Sequence, residues 1–188
     1  NVYKELGLSE PETWEEMESN FAKIKASGRT PVGQTIEGRW PAFIWFEEFL
    51  IRSDPDFYED LVEGRAKYTD PQVEEAFLTW KSWMDKGWMD DGSAAFGFTT
   101  GDSMNNSFSK GEVVHMLVGT WFASTVTGGG IKEGDEWGYF VLPNKNASLP
   151  PSVIFRATEI LNKLIGHKPL RNRDIPSKKK SQENFLEV

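Results

Sequence analysis

At 188 residues the chain is long enough to bury a hydrophobic core of ordinary size, and the absence of cysteine excludes disulfide scaffolds and zinc–thiolate sites while choosing no redox compartment. A formal net charge of −8 speaks against nucleic acid or an anionic membrane surface as partner, since both are held by Lys and Arg. No apolar run approaches the ~20 residues that cross a bilayer, and Asn1 opens no signal peptide; "NVYKELGL" is expected to belong to the interior of a longer chain.

In chain order the pattern is mostly helical. "PETWEEMESNFAKIKASG" sets Thr13 and Glu16 at capping-box spacing, lines Trp14, Met17, Phe21 and Ile24 along one face and closes at Gly28. "RTPVGQT" is short and β-branched, a strand or turn. "WPAFIWFEEFLIRS" predicts a helix with Pro41 at its first position, Phe43, Phe46 and Leu50 at helical spacing, and Trp40 just outside, at a rim. "TDPQVEEAFLTWKSWMDKG" predicts another, capped by Asp70, opened by Pro71 and ended by Gly87, with Val73, Phe77, Trp80 and Met84 as the buried stripe. A short helix over 104–110 leads through Gly111 to the strand "EVVHMLV", and "WGYFVL" at 137–142 predicts a second strand. The fold class that follows is α/β, mainly helical. Beyond it, "ATEILNKLIG" predicts a weak helix.

Charge is unevenly spread. Residues 1–147 carry 25 acidic and 13 basic side chains and all eight Trp, whereas residues 148–188 carry four acidic and eight basic ones. The Pro- and Asn-rich "PNKNASLPP" between them reads as a linker, so the expected division is a body over 1–147 and a divergent, polar, mobile tail over 148–188. Eight Trp in a chain only 38% hydrophobic imply that some rings serve a surface.

Four blocks, "YKELGLSEPETWEEMESNFAKIKASGRTPVG", "FYEDLVEGRAKYTDPQVEEAFLTWKSWMDKGWM", "FSKGEVVHMLVGTW" and "WGYFVLPN", taken in this order, resemble the family 1 extracellular solute-binding proteins, the carbohydrate-capturing components of bacterial ABC importers. The resemblance implies the C-terminal-lobe portion of a type II periplasmic-binding-protein fold, with most of the first lobe outside the chain and residues 148–188 beginning the crossover back. It further implies a non-catalytic receptor of the cell envelope, periplasmic or lipid-anchored, with a small-molecule carbohydrate as ligand, a membrane permease as partner and no cofactor.

In that family a Trp directly after the strand lines the cleft and stacks on sugar, and here that position is Trp121, followed by Phe122. An aromatic plane covers the apolar C–H face of a pyranose at little rotamer cost, leaving hydroxyls to hydrogen bonds. The residues alone leave Trp121 open between ligand contact and core packing. Trp40 is equally open, and Glu37 and Arg39 beside it either bind hydroxyls or form a solvated turn pair. Trp14, Trp45, Trp80 and Trp83 fall in packing registers, Trp88 and Trp137 stay undecided, and His115, alternating with apolar residues, reads as a buried, hydrogen-bonded ring rather than a metal ligand. Asp90 and Asp91 fail the spacing of a calcium loop. Two further readings remain: a glycoside hydrolase using paired carboxylates, for which no pair stands in a recognisable setting, and an aromatic-rich protein-interaction module.

Overall fold

The computed structural model of the protein describes residues 1–37, 39–90, 104–119 and 137–150, which belong to the first of the two units into which the chain divides, Asn1–Pro151. Among them are helices α1 (Val2–Leu6), α2 (Trp14–Ala26), α3 (Trp40–Ser53), α4 (Pro55–Val62), α5 (Pro71–Asp85) and α6 (Met104–Ser109), and strands β1 (Thr30–Gly33) and β2 (Val113–Met116). The strands are parallel, with Thr30 opposite Val113, Val32 opposite His115 and Gly33 opposite Met116. On the other side of β1, Val32 forms a parallel bridge to Met89 and its N–H donates to the Trp88 carbonyl (2.9 Å), so this fully buried residue has chain on both flanks. The mainly helical α/β class read from the sequence is the one found.

Local chemistry explains the ends of the elements. Thr13 Oγ1 accepts from the Glu16 amide and Glu16 Oε2 accepts from the Thr13 amide, the reciprocal cap expected at the start of α2. Asp54 caps α4 through the Phe57 amide, with Pro55 supplying the first residue. Asp70 stands at the cap of α5, but its carboxylate turns back to the Lys67 amide instead of into the helix. Helix α3 starts one residue earlier than expected: Trp40 is its first residue and Pro41 its second.

The core forms around Trp83, which is fully buried on α5. Its indole stacks on Trp14 of α2 (5.1 Å, 29°) and meets Phe21 of α2 and Phe49 of α3 edge-on at 5.1 Å each. Its N–H donates to Glu18 Oε1 (2.8 Å), so the polar end of the ring is satisfied at the edge of the core. Trp45, also expected in the core, is buried and stacks on Phe49 (5.7 Å, 29°).

Two expectations need correction. The buried stripe of α5 is Val73, Ala76 and Trp83, with Trp80 half-buried, while Phe77 is 51% and Met84 39% exposed. Trp83 and the small Ala76 face the core, which rolls the helix so that Phe77 and Met84 fall on the margin of the buried arc. The second correction concerns residues 137–142, where only Trp137 makes a bridge and 138–142 join no ladder. The alternation is real: Phe140 and Leu142 are half-buried while Tyr139 and Val141 are exposed. It is satisfied by side-chain packing, Phe140 against His115 (5.6 Å) and Leu142 against the core, without strand pairing. Phe43, too, is 52% exposed, at the open end of α3.

The segment 143–150, read as a linker, is held down at two points. Arg52 of α3 is buried, pairs through Nε with Glu48 (2.7 Å), and its carbonyl accepts from the Asn146 amide (3.0 Å). Lys145 reaches Glu75 (2.8 Å) and Thr79 (3.0 Å) of α5. The tail expected beyond residue 150 lies outside the described residues.

His115 binds three elements together. Its Nδ1 lies 2.7 Å from the Pro31 carbonyl of β1, which can only accept, so Nδ1 carries the proton and Nε2 accepts from the Tyr3 hydroxyl of α1 at 2.7 Å. The rings of Tyr3, Phe21 and Phe140 stand 5.3–5.6 Å away. Burial drives the imidazole pKa down from 6.5 to about 4, against the opposing pull of the Pro31 bond, and burial drives the Tyr3 phenol up to about 12.

Two outcomes are expected. Trp83→Ala should lower the urea-unfolding free energy by ~3–5 kcal/mol, whereas Phe77→Ala, on the exposed margin, should cost below ~1 kcal/mol; similar losses for both would displace Trp83 from the centre of the core. For His115 the folded pKa lies below the unfolded one, so its contribution is complete above about pH 7 and is lost as pH falls from 6.5 through about 4. Wild type should lose on the order of 3 kcal/mol more than His115→Phe across that window; parallel pH profiles would show that the ring is solvated.

Candidate functional site

Parallel strands bring their carboxyl ends to one edge, and in open α/β sheets ligands bind outside that edge. Here the last register pair is Gly33 with Met116, and Asp90 follows Met89 beside β1 on the same side. Three segments therefore leave the edge together: the one that begins at 34–37, Asp90, and 117–119.

The first of these is the best defined. Gln34 is 4% and Thr35 1% exposed, both polar and both buried. Gln34 donates from its backbone N–H to Asp90 Oδ2 (2.9 Å) and from Nε2 to the Asp90 carbonyl (2.5 Å), and its Oε1 accepts from Trp80 Nε1 (2.8 Å). Thr35 Oγ1 accepts from the Glu37 amide (3.0 Å), a side-chain turn that lifts the chain out of the core. Ile36 is then exposed, Glu37 half-buried, and Arg39 and Trp40 exposed. Arg39 has φ 67°, the left-handed region, and among the described residues it is the non-glycine residue that takes this conformation. Its carbonyl nevertheless accepts from the Phe43 amide (3.2 Å), so this backbone opens the 14-residue helix α3. Trp40, 43% exposed, and Phe43, 52% exposed, follow three residues apart on that helix, which puts them on neighbouring positions of its surface.

This turn carries Glu37, Arg39 and Trp40 at the carboxyl edge of the strands, with Phe43 one helical turn further on. The residue types on it are an indole, a carboxylate and a guanidinium, which can supply an apolar plane, an acceptor and a donor. Glu37, Arg39 and Trp40, the candidates read from the sequence, stand on this turn, Glu37 half-buried and the other two exposed. Trp121 and Phe122 lie outside the described residues. Trp88, undecided in sequence, is half-buried between Phe21 (5.9 Å) and the Lys86 ammonium (4.2 Å) and serves packing. Trp137 is half-buried, and its indole N–H finds no partner among the described residues.

Sequence reasoning missed Gln34, Asp90 and the polar half of Trp80. A Gln immediately after a buried apolar strand carried a signal, since such an amide must be paired. Nothing local pointed to Asp90 or to the Trp80 N–H, because their bond partner is remote in sequence. A concavity of about 340 Å³ lies over α5 between Glu74, Phe77, Leu78, Trp80, Lys81 and Met84, and its lining is almost wholly apolar. Among the described residues no group of His, Asp or Glu could hold a metal ion, and no helix is long and apolar enough to cross a membrane.

The family model for the bacterial extracellular solute-binding protein matches residues 1–162. The alpha-glucosides-binding periplasmic protein AglE of Rhizobium meliloti is 26% identical over 149 residues, covering 75% of this chain and 32% of its own length. An uncharacterized ABC transporter extracellular-binding protein of Pyrococcus horikoshii is 24% identical over 146 residues, covering 76% and 32%. Among solved structures, a chitin oligosaccharide binding protein superposes with a TM-score of 0.66 at 23% identity, covering 78% of this chain and 36% of that one. The bacterial solute receptor AcbH, described with a preference for β-D-galactopyranose, superposes with a TM-score of 0.64 at 20% identity, covering 78% and 35%. The chain thus spans about a third of the length of these relatives and shares the fold of that part. With the family model covering residues 1–162 of 188, the chain belongs to the bacterial extracellular solute-binding protein family.

Proposed function

We propose that this chain is part of the carbohydrate receptor of an ABC importer, acting outside the cytoplasmic membrane to capture a sugar or oligosaccharide and deliver it, chemically unchanged, to a permease. Residues 1–147 would form the helical second lobe, and 148–188 would begin the crossover. The observation that carries the reading is the Glu37–Arg39–Trp40 rim at the carboxyl edge of β1 and β2 in a chain of this family. The ligands for which the relatives are named, alpha-glucosides, chitin oligosaccharide and galactopyranose, support a carbohydrate.

On this reading Trp40 and Trp121 present planes to the sugar rings, Phe122 extends the apolar surface, and Glu37 and Arg39 take the hydroxyls through charge-assisted hydrogen bonds, stronger than neutral ones. Closure of two lobes over the sugar would be the signal read by the permease. The lobe present here supplies one wall, so its own affinity should be weak: a single wall leaves the ligand wet and its hydrogen bonds in competition with water.

Titration of the chain with maltose, N,N′-diacetylchitobiose and galactose, followed by NMR, should show at least one of them binding with a Kd of ~1–10 mM, and the sugar should be recovered intact. Shortened sugar would favour a hydrolase; no shifts with any of the three would sink the receptor reading. Trp40→Ala and Trp121→Ala should each weaken binding by ~1–3 kcal/mol, and Trp121→Ala should leave stability nearly unchanged. A stability loss above ~3 kcal/mol for Trp121→Ala with binding intact would move that ring into the core.

A further inference from the structure

Gln34 stands where the buried strand becomes the exposed rim, and its bonds run to residues far away in the chain. Its backbone N–H and its Nε2 both end on Asp90, while its Oε1 takes the indole proton of Trp80. Trp80 is itself fixed, its ring tilted against Phe49 of α3 (6.2 Å) and near-parallel to Phe77 (6.4 Å, 10°). Asp90 follows Met89, which is buried and bridged to Val32. Both partners therefore belong to rigid surroundings. From Gln34 the chain has Thr35, with its bond to the Glu37 amide, and then the rim itself.

We infer that Gln34, Asp90 and Trp80 are positioning residues for the ligand rim: the amide clamp fixes where Glu37, Arg39 and Trp40 stand before any ligand arrives. The inference rests on the receptor reading given above. A rim free to sample other conformations would lose backbone entropy on binding, and a pre-set rim does not. The clamp is also costly to half-remove. A buried amide that loses one of its partners stays desolvated, so the loop would move until Gln34 found water, carrying the rim with it. Trp80 contributes through its N–H and its ring separately, which makes the role testable without disturbing the core.

Trp80→Phe keeps an aromatic ring against Phe49 and Phe77 and deletes the donor; Gln34→Leu deletes the side-chain acceptor and donor and keeps the backbone N–H. In the 188-residue chain, both should speed hydrogen exchange at residues 35–37 and 39–40 by on the order of tenfold, with amides in the interiors of α2 and α5 as protected as in wild type. The Kd for whichever of maltose, diacetylchitobiose or galactose wild type binds should rise roughly tenfold. If wild type binds none of these sugars, the receptor reading falls and this inference with it. If wild type binds and both variants bind equally well, or exchange at the rim is unchanged, the clamp alone is overturned. Loss of protection throughout α2 and α5 in Trp80→Phe would also overturn it, by making Trp80 a core residue and nothing more. Should Gln34→Leu fail to fold, Trp80→Phe carries the test.

Discussion

Trp83 meets aromatic rings from two other helices at once and closes its one polar atom on Glu18, and this arrangement sets the orientation of everything around it. Helix α5 must turn Trp83 inward. Doing so it lays Trp80 toward Gln34, leaves Phe77 and Met84 on the margin, and sends the chain through Gly87 to the Val32 bridge. Helices α2 and α3 are held against the same indole through Trp14, Phe21 and Phe49. A cluster of this kind is stabilised by area and by ring geometry together, so it tolerates little change in volume.

Around that centre, polar groups hold the strands and the connections. His115 is kept neutral by burial, and in that form its two nitrogens take opposite tasks, donating to Pro31 and accepting from Tyr3. The short helix α1 is fastened by this bond and by the Arg29–Glu5 pair (2.9 Å), which lies in water and adds less. The carboxyl edge is thereby set off from the rest: buried hydrogen bonds lie beneath it, at Gln34 and Thr35, and exposed aromatic surface lies on it, at Trp40 and Phe43.

The local signals in the sequence were read reliably where a single residue or spacing decides the outcome. The Thr13–Glu16 cap, the Gly28 and Gly87 exits and the Trp14–Met17–Phe21–Ile24 face all follow from neighbours a few positions apart. The roll of α5 did not, since Val73, Phe77, Trp80 and Met84 form as regular a stripe as the true one, and only the partners across the core choose between them. The alternation at 137–142 was legible, but alternation reports which side chains face inward and says nothing of whether a second backbone lies alongside. The exposure of Arg39 and Trp40 was legible from their polar, aromatic setting, whereas the Gln34–Asp90–Trp80 bonds join positions 46 and 56 residues apart and have no local signature.

Helix α3 carries the rim at one end and a buried anchor at the other. Fourteen residues make a rod about 20 Å long; Trp40 begins it, and Arg52, one residue before its end, holds Glu48 and the Asn146 amide. Between them, Trp45 and Phe49 are pinned in the core. The same buried residues, Trp45 and Phe49, therefore fix where both ends of the helix stand, Trp40 at one and the Arg52 attachment of Asn146 at the other.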